Sequence, residues 1–210
     1  MALERHDRHV PFFMGAVRTP DDVEIVPLEI GVGIQTGRRD GQDRHGRMFR
    51  DREFDICEQS LSSYIIAKSR GAKFTAAPVF PRRLFSQNCI FVNRASGIAL
   101  PSDLAGKRIG ILSFQTTLSV LAKGDLQQEY GVAWRDIHWF VQQAEELALE
   151  GGVGIPIRRV PDGKSVGEML VEGELDAVIL PNPSATVLSC PDQVKRLFDD
   201  PMAECVRYFK

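Results

Sequence analysis

The chain has 210 residues, is 43% hydrophobic and carries a formal net charge of −2, so it is long enough to bury one core or two small ones. Its 26 Lys and Arg balance 28 Asp and Glu without a dominant basic block, which argues against nucleic acid as a partner. No apolar run approaches the ~20 residues of a membrane span, so no membrane association is expected.

The first ionisable cluster, Arg5-His-Asp-Arg-His9, follows Glu4 and stands where the apolar region of a secretory leader would lie. Cys57, Cys89, Cys190 and Cys205 are widely spaced and read as buried thiols of a reducing compartment. Together these point to a cytoplasmic location.

After the Thr19-Pro20-Asp21-Asp22 turn, residues 23–28 read as a strand. Residues 31–46 are rich in glycine and lack periodicity, which predicts a long connection. The arginines around it (Arg38, Arg39, Arg44, Arg47, Arg50, Arg52) alternate with Asp40, Asp43 and Asp51, and read as a solvated face. Residues 54–57 then read as a short strand running into a serine-rich helix start, with Ser60 as cap and Ser62 and Ser63 in the first turn. Such an opening leaves N–H groups and a positive dipole end facing outward, and carboxylates settle there readily. Glu58 and Gln59 stand beside it.

Residues 75–80 and 89–93 are further strand candidates, joined by a polar segment that holds Arg82 and Arg83. A one-turn helix near Pro101, a strand from Arg108 and a helix over 118–130 ended by Gly131 follow. Ser113, Gln115 and Thr116 occupy that strand-to-helix junction, where they can clasp a carboxylate or hydroxyl. Next come a strand over 136–140, a short acidic helix over 142–150 and a turn at 151–154. Ser165 with Glu168 forms a capping box for a helix stopped by Gly173, and 176–180 is an apolar strand. Asn182 and Ser184 after it are weaker ligand candidates. In the tail, 194–198 reads as the start of a helix and 205–209 as the start of a strand. The alternation predicts an α/β fold with a mainly parallel sheet, whose ligand lies outside the carboxyl ends of the strands.

The segments Phe54-Asp-Ile-Cys-Glu-Gln-Ser-Leu-Ser-Ser-Tyr64, Pro78-Val-Phe-Pro-Arg-Arg83, Ile90-Phe-Val-Asn93 and Leu104-Ala-Gly-Lys-Arg-Ile-Gly110 resemble the 4,5-dihydroxyphthalate decarboxylase group. That group is similar in fold to the type II periplasmic substrate-binding proteins. The resemblance implies two lobes with a ligand cleft: residues 1–98, residues 99–181, and a return segment 182–210 that is incomplete. Members of the group are longer, so the chain reads as truncated at its C-terminus.

The activity implied is non-oxidative decarboxylation of a hydroxylated aromatic dicarboxylate such as 4,5-dihydroxyphthalate, by a carbon–carbon lyase without an organic cofactor. The alternative is a non-catalytic solute-binding protein for a small carboxylate or aromatic ligand. Asp7 and Arg8 match an Asp-Arg pair of the group. His6 and His9 are candidates to deliver a proton to the ring carbon, with Asp7 beside them. Arg8, Arg82 and Arg83 are candidates to grip carboxylates through planar guanidinium forks, with Glu58, Ser60, Ser62, Ser63, Ser113, Gln115 and Thr116 completing the substrate set. His6, Asp7, His9 and Glu58 also leave room for a divalent metal, although no metal-binding spacing is present. A small aromatic carboxylate is the expected partner, and a homo-oligomer is an open assembly state.

Overall fold

The computed structural model describes residues 1–31, 43–149 and 154–210. The expected connection at 31–46 therefore lies largely outside the described residues, as do Arg38, Arg39 and most of the turn at 151–154. The chain divides into two compact units, Met1–Pro81 and Arg82–Lys210.

In the first unit, β1 (Ala2–Leu3) pairs in parallel with β2 (Leu28–Glu29), and Ala2 also makes a parallel bridge to Cys57. A small core of Ala2, Ile30, Met48 and Phe54 holds these segments together. Between β1 and β2 lie a single 3-10 turn, Asp7–His9, and the short helix α1 (Val10–Phe13). Next, α2 (Arg44–Gly46) continues into a π-helical turn at Arg47–Asp51. The longest element among the described residues of this unit is α3 (Leu61–Ser69).

Several strands expected here are shorter or missing. Only Leu28 of the 23–28 segment is strand, and 75–80 has none. In that second segment Val79 and Phe80 are exposed, and Pro78 and Pro81 lack the N–H a ladder requires. The 54–57 strand shrinks to the Cys57 bridge, because Phe54 is buried while Ile56 is 56% exposed. In a true strand these two residues would share a face.

The second unit is a six-stranded sheet in the order β6-β5-β4-β7-β3-β8. Its strands are β3 (Ile90–Asn93), β4 (Arg108–Ile111), β5 (His138–Val141), β6 (Ile157–Arg159), β7 (Ala177–Ile179) and β8 (Val194–Arg196). The β4–β5, β5–β6 and β4–β7 pairs are parallel, and β3 runs against both its neighbours. The mainly parallel sheet expected from the sequence is therefore present.

Helix α4 (Thr117–Tyr130) covers one face of the sheet, where Ala122 and Leu126 join Ile109, Ile111, Trp139 and Ile179. Helix α5 (Val166–Val171) covers the other, where Val166, Met169 and Leu170 join Val178 and Leu175. Residues adjacent along β4 and β7 thus serve opposite cores, as a pleated strand requires. Gly110 is the point where α5 comes closest. A Cβ there would stand 2.7 Å from Leu175 Cδ1 and 2.9 Å from Val166 Cβ.

The α5 capping box forms as expected, with Ser165 Oγ accepting from Glu168 N and the Glu168 carboxylate accepting from Ser165 N at 2.8 Å. Gly131 ends α4 in the left-handed region at φ 67°. The aspartate of the Gly173-Glu-Leu-Asp-Ala177 segment is structural. The Asp176 carboxylate accepts from Arg108 N, Nε and Nη2 at 2.7–3.0 Å, clamping β4 to β7.

The tail reverses the sequence reading. Residues 194–196 form β8, which completes the sheet beside β3. After the short helix α6 (Ala185–Leu188), the expected strand at 205–209 lies instead within α7 (Pro201–Phe209). Asp200 caps α7 by accepting from Ala203 N at 2.9 Å, and Pro201 occupies the first helical position. This start signal outweighs the β-branched and aromatic residues that suggested a strand. The acidic helix expected at 142–150 is also absent from its described part, because Glu145 is used elsewhere.

Candidate functional site

The first unit gathers its ionisable groups at the ends of β1 and β2. Arg44, read from the sequence as part of a solvated face, is only 3% exposed and forms the centre of the cluster. Its Nη1 donates to Ile30 O at 2.6 Å, its Nε donates to Glu58 O at 2.9 Å, and its Nη2 lies 3.4 Å from the Glu58 carboxylate. Glu4 adds a looser ion pair at 3.8 Å. A guanidinium can be buried in this way only because its N–H donors meet fixed acceptors and its charge meets carboxylates. The available sequence signal was weak: one arginine beside Gly46 in a run whose other arginines are spaced by aspartates.

Arg8 approaches the same carboxylate from the exposed side, with Nη2 3.1 Å from Glu58 Oε1. Glu58 therefore holds two guanidiniums, one buried and one partly open to solvent. His9 is buried, and its Nδ1 lies 2.6 Å from Glu4 O. Because a carbonyl only accepts, Nδ1 carries the proton in the neutral ring and Nε2 keeps its lone pair. His6 lies beside it, with ring centroids 5.8 Å apart. Burial first, and then the charge of Arg8, lower the His6 pKa below its ordinary value, against the pull of Glu4 and Glu58. Asp7 is exposed on the 3-10 turn.

Four of the sequence candidates, His6, Arg8, His9 and Glu58, thus meet in one unit together with Arg44. Among the described residues, no three His, Cys, Asp or Glu side chains gather in a way that could hold a metal ion.

The serine-rich helix start is α3. Ser60 occupies the cap position, but its hydroxyl makes no cap hydrogen bond and lies 3.2 Å from Ser62 Oγ. Ser63 is fully buried, and its hydroxyl has no hydrogen-bond partner among the described residues. Beside the motif, Gln59 Nε2 donates to Cys57 Sγ at 2.9 Å, and burial pushes the Cys57 thiol up to about 11. That thiol is a poor nucleophile at neutral pH.

In the second unit, Arg82 and Arg83 are exposed on the opening segment, and Arg82 lies near enough to Cys89 to act on its thiol. Ser113, Gln115 and Thr116 stand at the carboxyl end of β4, as expected. Their polar groups are engaged locally: Thr116 Oγ1 meets Ser119 Oγ at 2.7 Å and donates to Ser113 O at 3.3 Å, and Gln115 Nε2 donates to Leu147 O at 3.0 Å. The Glu145 carboxylate accepts from Phe114 N at 2.6 Å and from Gln115 N at 2.9 Å. The chain supplies its own carboxylate to the seat where the sequence suggested a ligand's. Ser184 likewise serves as the cap of α6.

The α/β fold of the chain resembles that of the type II periplasmic-binding proteins. It resembles the periplasmic aliphatic sulphonate binding protein SsuA from Escherichia coli, with a TM-score of 0.50 and 15% identity over 75% of this chain and 48% of that one. No protein-family model matches the chain. In sequence it is 33% identical over 217 residues to a 4,5-dihydroxyphthalate decarboxylase from Comamonas testosteroni, an alignment covering 100% of this chain and 63% of the relative. It is 31% identical over 179 residues to a protein of the same name from Pseudomonas putida, covering 82% of this chain and 69% of that protein. The chain belongs to the 4,5-dihydroxyphthalate decarboxylase family, and it spans about two thirds of the length of these relatives.

The expected cytoplasmic location is corrected by the same comparison. The solved protein that shares the fold is periplasmic, so the fold gives no support to a cytoplasmic assignment.

Proposed function

We propose that the protein is a carbon–carbon lyase that removes carbon dioxide from a hydroxylated aromatic dicarboxylate such as 4,5-dihydroxyphthalate. One observation supports this most: Arg8 and Arg44 converge on Glu58 beside His6, whose imidazole is biased toward its neutral form. The family relationship supplies the reaction class. The two-lobed division at residues 98 and 181, and the roles of Arg82, Arg83 and the serines in substrate binding, are part of the same proposal.

The chemistry asks for three things. A ring carboxylate must be oriented, a proton must reach the ring carbon that carries it, and the electron pair of the breaking carbon–carbon bond must return to the ring. A ring hydroxyl para to the departing carboxylate assists by giving up its proton and pushing electron density to that carbon. In this reading Arg8 holds a substrate carboxylate with its solvent-facing N–H groups, while Arg44 fixes Glu58 and so orients Arg8. Neutral His6 takes the hydroxyl proton, as its lowered pKa allows; its imidazolium then returns that proton to the ring carbon, and the phenolate regains one from solvent after carbon dioxide leaves. The net change is loss of carbon dioxide and gain of one proton at the ring carbon.

The test is carbon dioxide release from 4,5-dihydroxyphthalate by the purified chain, with and without added divalent metal, alongside direct titration of binding. Turnover that is lost in His6→Gln and weakened in Arg8→Ala supports the proposal. Binding without carbon dioxide release would make the protein a solute binder. Neither binding nor turnover by folded protein would overturn the assignment for this chain.

A further inference from the structure

Helix α4 carries a feature that the proposed decarboxylation does not use. Lys123 lies in its interior and is only 7% exposed, which is unusual for an amine that no carboxylate among the described residues contacts. Its Nζ donates to Phe114 O at 2.6 Å and stands 3.1 Å from the centroid of the Phe114 ring, with Trp139 at 5.8 Å. The Lys123 side chain is also part of the lining of a cavity of about 300 Å³, together with Phe114, Val120, Gly124, Gln127 and Trp134. Apart from Lys123, every lining residue among those described is uncharged. This lining offers a carboxylate no partner other than Lys123, whereas an uncharged planar molecule meets the Phe114 and Trp134 rings.

Gly124 adds an independent observation. A glycine inside a helix costs about 1 kcal/mol relative to alanine, and such a residue is usually kept because a neighbouring atom leaves no room for a Cβ. Here a Cβ would meet no atom within 4 Å. Gly124 is exposed, so its missing side chain leaves the lining beside Lys123 open to solvent and to a ligand.

We propose that this cavity is a ligand site that takes a small, uncharged, planar carbonyl compound and holds it as an imine of Lys123. The Nζ lone pair attacks the carbonyl carbon, a carbon–nitrogen double bond forms, and the carbonyl oxygen leaves as water with the two amine hydrogens. No oxidant or reductant is needed. Burial lowers the ammonium pKa to about 7, while Glu145, the carboxylate that faces it from the segment after β5, pulls in the opposite direction. A large fraction of Lys123 is thus free amine near neutral pH, as imine-forming lysines require.

The test uses benzaldehyde and sodium cyanoborohydride on the whole chain at pH 7, followed by peptide mapping to locate the reduced adduct. Labelling of Lys123 at least tenfold faster than of the exposed Lys68, Lys73 and Lys210 is expected. Lys123→Met should remove that adduct. Gly124→Leu, which keeps the amine and fills the wall beside it, should slow labelling at Lys123 at least tenfold with the exposed lysines unchanged. Labelling of Lys123 no faster than of the exposed lysines, or unaffected by Gly124→Leu, would overturn the proposal.

Discussion

Arg44 donates to Glu58 through two different nitrogens, reaching the backbone carbonyl at 2.9 Å and the carboxylate at 3.4 Å. One buried side chain therefore fixes both the backbone and the charge of the residue that also holds Arg8. Replacing it with Met removes a buried cation, taking a donor from the Ile30 and Glu58 carbonyls and an ion-pair partner from the Glu4 and Glu58 carboxylates, of which Glu58 keeps Arg8. A loss of about 3–5 kcal/mol is expected, as for breaking one side of a buried ion pair. Arg44→Lys should recover only part of it, since an ammonium is a point charge and cannot span the Ile30 and Glu58 acceptors. Urea unfolding at neutral pH measures both.

That central residue was the one least legible in the sequence. Periodicity placed the elements around the sheet well: residues 90–93, 108–111 and 177–179, the Ser165 capping box and the Gly131 helix stop all follow local rules that the structure obeys. Composition could not show burial of Arg44, because burial depends on carbonyls and carboxylates 14 to 40 residues away in the chain. The tail misled for a related reason. Asp200 and Pro201 carry a helix-start signal, but Cys205, Val206, Tyr208 and Phe209 resemble a strand, and contacts such as Tyr208 OH to the Asp125 carboxylate at 2.9 Å decide the matter. Residues 113–116 do follow β4 at a strand-to-helix junction, yet the engagement of Gln115 N by Glu145 was invisible, since it joins residues 30 apart.

His6 should titrate below the ordinary histidine range, because burial and Arg8 both disfavour its imidazolium. If neutral His6 is the base, kcat/KM rises with pH through that lowered midpoint and then levels off. Arg8→Gln removes one of the causes that lower it and should move the midpoint upward. NMR titration of the His6 ring reads the shift without depending on residual activity. A midpoint unmoved by Arg8→Gln would show that Arg8 does not act on His6.

Gly110 tests how closely α5 packs on the sheet. In an ordinary strand, exchanging glycine for alanine stabilises a protein by reducing the freedom of the unfolded chain, typically by ~0.4–1 kcal/mol. Here the new methyl group would fall 2.7 Å from Leu175 Cδ1 and 2.9 Å from Val166 Cβ. The sign should therefore reverse, with Gly110→Ala destabilising by roughly 1–3 kcal/mol through overpacking. Denaturant midpoints of the two proteins decide it, and a stabilised variant would mean that the helix can withdraw freely.

Lys123 should leave its mark on the pH dependence of stability, whatever ligand its cavity takes. Its pKa is lowered to about 7 from the ordinary lysine value of 10.5, so between those limits the unfolded chain holds a proton that the folded chain does not. Stability then rises with pH across that window, by on the order of 1 kcal/mol per pH unit for a single group. Below pH 7 both states are protonated and the folded state bears the full cost of the buried charge. The thiols of Cys89 and Cys205, raised by burial, work in the opposite sense once the unfolded thiols ionise near pH 9, as does Tyr130, raised to about 12. The informative range is therefore pH 7 to about 8.5. Lys123→Met should be more stable than the parent at pH 7 and should flatten the rise. A parent whose stability does not change over this range would show that Lys123 keeps its proton in the folded state and is paired more strongly than the structure indicates.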